Sequence, residues 1–148
     1  MVFMALAFAT GAADNRAGTA NHDGGIAGAS EEQGRMLMTV GDQRFTITLE
    51  DNRTARAFVQ LLPIVLDMAE LNGNEKHAKL SRSLPTDPER PGTIRAGDLL
   101  LYGDDTLVVF YETFRSSYSY TRIGRIEGAA GLSAALGSAS QRIAFAVP

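Results

Sequence analysis

From Arg35 to the end of the chain, apolar and polar residues trade places in short bursts broken by turn residues. In "RFTITLE", Phe45, Ile47 and Leu49 alternate with Arg44, Thr46 and Thr48. A period of two puts the first set on one face of a strand and the second on the other. With "RMLMTV" before it and "GDQ" between, the pattern predicts a β-hairpin in which Gly41 takes the positive φ of a tight turn. The period changes in "DNRTARAFVQLLP", where Ala55, Phe58, Val59 and Leu62 fall at i, i+3, i+4 and i+7. That spacing is one face of a helix. Asp51 or Asn52 can cap its first free amides, and Pro63 ends it. "IVLDMAEL" returns to alternation and is closed by the turn "NGNE".

Residues 81–97 include Pro85, Pro88 and Pro91 and are expected to run over the surface as a long ordered loop. "DLLLYG" and "TLVVFYETF" then form a hairpin about "GDD", both rich in buried-strand residues. "YSYTRIGRIE" predicts another strand and "GLSAALG" a short helix. "RIAFAV" is a last strand, with Ile143, Phe145 and Val147 in alternation. Many short strands with two short helices imply a mainly β fold: a closed or nearly closed β-barrel with the helices capping its ends.

The amino terminus follows a different pattern. "MVFMALAFA" is an apolar run, followed by "TGAA" and a polar Gly/Ala/Asn-rich stretch to Gln33. It resembles the core and small-residue cleavage zone of a secretory signal, with Ala7-Phe8-Ala9 as the cleavage site and the basic leading region missing. The run is too short to span a bilayer, so no integral membrane segment is expected. Residues 1–34 are read as a signal-like segment and flexible linker, and 35–148 as the folded domain. A periplasmic or secreted protein is the expectation; a cytoplasmic one with an apolar tail is the alternative.

Charge and composition narrow the chemistry. Of 14 Lys+Arg and 17 Asp+Glu, only Arg16, Asp14, Asp23, Glu31 and Glu32 precede Arg35. The domain is therefore formally neutral, and the net charge of −3 belongs to the leading segment. Neutrality gives no electrostatic case for nucleic acid or an anionic membrane. The chain has no cysteine, which excludes disulfides, thiolate catalysis and cysteine-held metals. His77 and scattered carboxylates give no metal-ligand spacing, and no positioned partner makes His77 a general base. Asp104 and Asp105 read as turn residues, Asn52 of "NRT" as a helix cap, and Ser133 lacks a nucleophile-elbow pattern. No phosphate-loop or dinucleotide fingerprint is present, and no cofactor is expected.

Three segments carry a resemblance. "ITLEDNRTARAFVQLL" is similar to the cyclophilin strand that leads through a polar turn into a helix. "YTRIGRIEGAAGLSAAL" is similar to the later strand ending in Gly–basic–apolar, then a turn and a short helix. Between them, "GTIRAGDLLLYGDDTLVVFYETF" resembles the hairpin of the small bacterial cyclophilin-like proteins, a divergent family of largely unassigned role. The resemblance runs over about residues 36–147 and implies the cyclophilin-like barrel. Isomerase cyclophilins use a Phe-His-Arg strand with Gln, Phe, Trp and His around a proline pocket. Here "LNGNEKHAKL" stands in place of that strand, the chain has no Trp, and "TLVVFYETF" has no Gln. Tyr120 stands where the family motif has His.

Tyr118 and Tyr120, two apart, share a face if their segment is a strand. With Tyr111 and Phe114 they form a candidate aromatic groove; half-buried packing at the barrel end is the plainer explanation. Arg115, Arg122 and Arg125 meet no acid between Thr113 and Ile126, so they either hold an anionic ligand or pair with acids from elsewhere. The candidate ligand-binding set is Tyr111, Phe114, Arg115, Tyr118, Tyr120 and Arg122, with no catalytic residue. The expected function is a non-catalytic binding module for a peptide or small ligand. The alternative is a divergent peptidyl-prolyl cis-trans isomerase, in which Arg115 or Arg122 replaces the missing arginine.

Overall fold

Eight strands close into an antiparallel barrel because nearly every burst of alternation pairs with two others. The computed structural model describes residues 34–148, so the signal-like segment and linker lie outside the described residues. The strands are β1 (Arg35–Val40), β2 (Gln43–Leu49), β3 (Ile64–Leu71), β4 (Glu75–Lys79), β6 (Asp98–Tyr102), β7 (Thr106–Phe110), β9 (Thr121–Ile126) and β10 (Gln141–Ala146). Around the barrel the order is β1-β10-β3-β4-β7-β6-β9-β2. Two further short strands, β5 (Thr93–Ile94) and β8 (Phe114–Arg115), pair only with each other. Closure removes every free edge from the main sheet.

The predicted first hairpin is present, with Gly41 at φ 56° between Val40 and Gln43, which are directly paired. The segment "EKHAKL", unassigned in the sequence reading, supplies β4; it pairs with β3 through Ala69↔His77 and with β7 through His77↔Val108. The loop 81–97 is long, as predicted, apart from β5 and one bridge, Glu89↔Tyr120.

Helix α1 (Arg53–Val59) begins at Asn52, whose side chain accepts the Ala55 amide at 2.7 Å. It stops before Leu62, which the apolar spacing had included. The residue before a proline is driven out of the α region, and the last turn tightens: Leu61 N bonds Phe58 O and Leu62 N bonds Val59 O. Phe58 is fully buried against Phe145 at 5.9 Å, edge to face. Helix α2 (Leu132–Leu136) buries Leu132 and Leu136 in the same core. The α1 end of the barrel is the end where β9 starts, since Asn52 Nδ2 donates to Arg122 O at 2.8 Å. The α2 end is that of Lys76, which donates to Gly137 O at 2.7 Å.

The barrel has a second, outer core. Leu99, Leu101, Leu107 and Val109 point inward, while Leu100, Val108 and Phe110 point outward and are also buried. Ile94 of β5 and Phe114 of β8 lie on them as a lid. Burial on both faces is why "DLLLY" and "TLVVF" are continuous apolar runs with no alternation.

Candidate functional site

The period of two along β4, β6, β7 and β9 decides what lies on this outer face. β4 contributes Glu75 and His77, with Glu75 across from Phe110 and His77 across from Val108. β6 contributes Leu100 and Tyr102, and β9 contributes Arg122, across from Leu100. Tyr120 enters just before β9, held by two backbone bonds of 2.9 Å to Glu89.

Five aromatic rings run across this face in unbroken contact. Tyr118 meets Tyr102 edge to face at 6.2 Å, and Tyr102 meets Tyr120 at 5.8 Å. Tyr120 meets Phe110 edge to face at 5.6 Å, and Phe110 meets Phe114 at 5.7 Å. Such offset contacts are preferred because a ring's positive edge is drawn to its neighbour's negative face. The belt is graded in exposure: Phe110 and Tyr120 are buried, whereas Tyr102 is 48% and Tyr118 62% exposed. Its open end thus presents two tyrosines to solvent.

The structure brings Phe114, Tyr118 and Tyr120 together and takes Tyr111 away. Tyr111 follows the inward phase of β7 and belongs to the barrel interior. There its hydroxyl donates to Glu70, and its ring lies 5.1 Å from the Lys76 ammonium. Tyr118 and Tyr120 do not share a strand, because residues 116–119 form none, yet both reach Tyr102.

The arginines divide in the same way. Arg122 Nε meets Glu89 at 2.6 Å, and Arg125 meets Asp98 at 2.7 Å, so each is answered by an acid from the loop 81–97 or its end. Arg115 is exposed on β8 and has no ion pair among the described residues. Ser133 donates to Glu112 at 3.0 Å, and the Asp104 and Asp105 carbonyls accept from Leu84 and Leu80, the structural roles expected of that turn.

Three acidic groups surround the α2 end. Glu70 is half-buried, and its partial desolvation works to raise its carboxyl pKa, but hydrogen bonds from Lys76, Tyr111 and the Gly73 amide outweigh that and hold it below the usual value. Tyr111 is pushed far up by burial and by its bond to Glu70, with Glu112 and Glu75 adding to the effect. Glu75 is raised by burial and then by the charge of Glu70. The same Glu75 charge, after burial, raises Tyr120, while a hydrogen bond from Ser116 works against it.

Sequence reasoning missed Glu75, Tyr102 and Phe110. The signal was present: reading "EKHAKL" as a strand puts Glu75 and His77 on one face and Lys76 on the other. Among the described residues, no cluster of three or more His, Asp or Glu is arranged to hold a metal ion. A cleft of about 360 Å³ lies elsewhere, between Leu61 near the end of α1, Leu66 of β3 and Leu80.

A closed antiparallel barrel, a helix at each end and a layered outer face define a protein of the cyclophilin-like barrel class. Residues 38–147 match the model of the Cyclophilin-like family, and the chain belongs to that family. The solution structure of a hypothetical protein from Archaeoglobus fulgidus is similar, with a TM-score of 0.60 and 16% sequence identity. The match covers 77% of this chain and 94% of that one, a likeness of fold. No curated protein matches the chain.

Proposed function

We propose that the domain is a non-catalytic binding module that takes a peptide or small ligand on the outer face of β4, β7, β6 and β9. The observation that carries this reading is the five-ring belt with Tyr102 and Tyr118 uncovered at its end. Tyrosine offers apolar area and a polar tip with few rotatable bonds, so it binds at small entropic cost. Arg122 is engaged by Glu89 and Tyr120 is buried, which argues against either as a free donor to a prolyl amide. Isomerisation needs such a donor beside a pocket that grips the ring.

The test is an NMR shift screen with proline-containing peptides and common metabolites. Binding should move the resonances of Tyr102, Tyr118 and Tyr120, and Tyr118→Ala should weaken it. Shifts confined to the cleft around Leu61 and Leu80 would reject this face. In parallel, the domain should leave a standard Xaa-Pro peptide at its background isomerisation rate. Acceleration lost in Arg115→Ala or Arg122→Ala, with the fold intact, would reject the binding module in favour of a divergent isomerase.

A further inference from the structure

We infer that the ligand of the aromatic face carries an alkylammonium group, with Glu75 as its counter-ion. The inference rests on the binding reading above and names the chemistry that this face selects. Glu75 is 9% exposed, opposite Phe110 in the β4–β7 register and on the outward phase that leads to the belt. Among the described residues, nothing donates a hydrogen bond to its carboxylate and no cation pairs with it. A carboxylate so far removed from water is normally paired.

The neighbouring charges do not meet the need. Lys76, next in sequence, points into the barrel, where Glu70 at 2.8 Å and Gly137 O at 2.7 Å hold its ammonium. His77, two residues along on the same face, stands across from Val108 and forms no ion pair among the described residues. Arg122 is taken by Glu89, and Arg125 by Asp98. Glu70, Glu75 and Glu112 all act on Tyr111, so three carboxylates gather near this end of the strands. Asn74, adjacent to Glu75, has a buried side-chain oxygen that also lacks a donor. The locality is rich in acceptors and poor in donors.

Aromatic rings complete the recognition. Phe110 stands across from Glu75 and Tyr120 is near enough to feel its charge, with Tyr102 and Tyr118 beyond, and a cation over such ring faces is attracted by their quadrupoles. Ammonium groups with alkyl arms suit this setting, because the arms lie on the rings while the charge meets the carboxylate. Exposed Arg115 on β8 is the one argument for an anion, but its charge is already met by water. At Glu75 the cation meets a carboxylate that is only 9% exposed and has no ion pair among the described residues.

The test compares Nα-acetyl-lysine methylamide with Nα-acetyl-norleucine methylamide, which keeps the four-carbon chain and lacks the ammonium, by NMR titration of the domain. The lysine compound should bind about tenfold tighter or more, with shifts at Glu75, Phe110 and Tyr120. Glu75→Gln should erase that preference while its melting temperature equals or exceeds that of the unaltered protein. The comparison on the unaltered protein needs no variant, so a folding defect in Glu75→Gln leaves it decisive. Butylammonium binding as well as the lysine compound would assign the group to a free amine; weaker binding would assign it to a lysine within a peptide. Equal binding of the lysine and norleucine compounds on the belt would overturn the charge inference and leave the binding face standing. Shifts from neither compound, nor from butylammonium, would overturn the charge inference, and the wider screen above then decides the binding face.

Discussion

At the scale of single residues, two glutamates a few positions apart are shifted in opposite directions by what surrounds them. Glu70 lies below its usual pKa because Lys76, Tyr111 and Gly73 donate to it. Glu75 lies above because it is buried beside Glu70 without a donor. The consequences for stability run in opposite directions. Glu70 contributes stability above its unfolded value of 4.5, lost as pH falls through its lower folded value. Glu75 contributes below the unfolded value, also 4.5, and that contribution is lost as pH rises through its higher folded value. Glu75→Gln should therefore melt above the unaltered protein at about pH 8, and the gain should shrink towards about pH 4. A gain independent of pH would mean that it does not come from the Glu75 charge, and a loss at about pH 8 would mean that Glu75 is paired after all. Lys76→Met should cost about 3–5 kcal/mol in urea unfolding, since it leaves Glu70 and Tyr111 without their cation. A cost near that of a surface change would show that Glu70 is well served by water.

At the scale of elements, both helices are too short to stand alone and exist because the barrel gives their apolar sides a floor. Phe58 is the residue that joins α1 to that floor, through Phe145. Phe58→Ala should lower stability by about 3–5 kcal/mol, as deletion of a buried aromatic ring does. A loss under about 1 kcal/mol would place Phe58 outside the core. Strand β9 has its own device at Gly124. A Cβ there would lie 2.6 Å from Thr48 O and 2.9 Å from Ile47 Cγ2. The glycine allows β2 to close on β9 beside the bulge at Leu99/Leu100, where the β6–β9 register shifts. Gly124→Ala should cost about 1–3 kcal/mol and broaden the amide signals of β2, and undisturbed β2 signals would refute the close approach.

At the scale of the whole molecule, the loop 81–97 and the segment 111–120 turn a plain barrel into a two-layered one. Glu89 ties down Tyr120 by backbone and Arg122 by side chain, so one residue sets both the belt's central ring and its flanking charge. Gly34 O accepts the Leu49 amide at 2.8 Å, so the sheet's bonding begins there. A chain starting at Gly34 should melt with the full-length protein, because residues 1–33 offer no periodic apolar face in sequence. A drop of several degrees in the truncated chain would show that the leading segment packs on the domain.

The alternation in "RFTITLE" and "RIAFAV", the helix spacing of Ala55 and Phe58, and the turn glycine at Gly41 determined the elements by themselves. Each is a local consequence of backbone period and steric freedom. The order of "ITLEDNRTARAFVQLL" and "YTRIGRIEGAAGLSAAL" likewise carried the family. The site was only half legible: Phe114, Tyr118 and Tyr120 could be singled out as aromatic, but not that Tyr102 and Phe110 join them. Tyr111 stands one residue from Phe110, yet the pleat sends it to the opposite side of the sheet. Partners were decided only in three dimensions, since Arg122 finds Glu89 and Arg125 finds Asp98 across more than 25 residues. What leaves Glu75 without a partner is the same closure of the barrel that hands the neighbouring Lys76 to Glu70 and Gly137 on the inside.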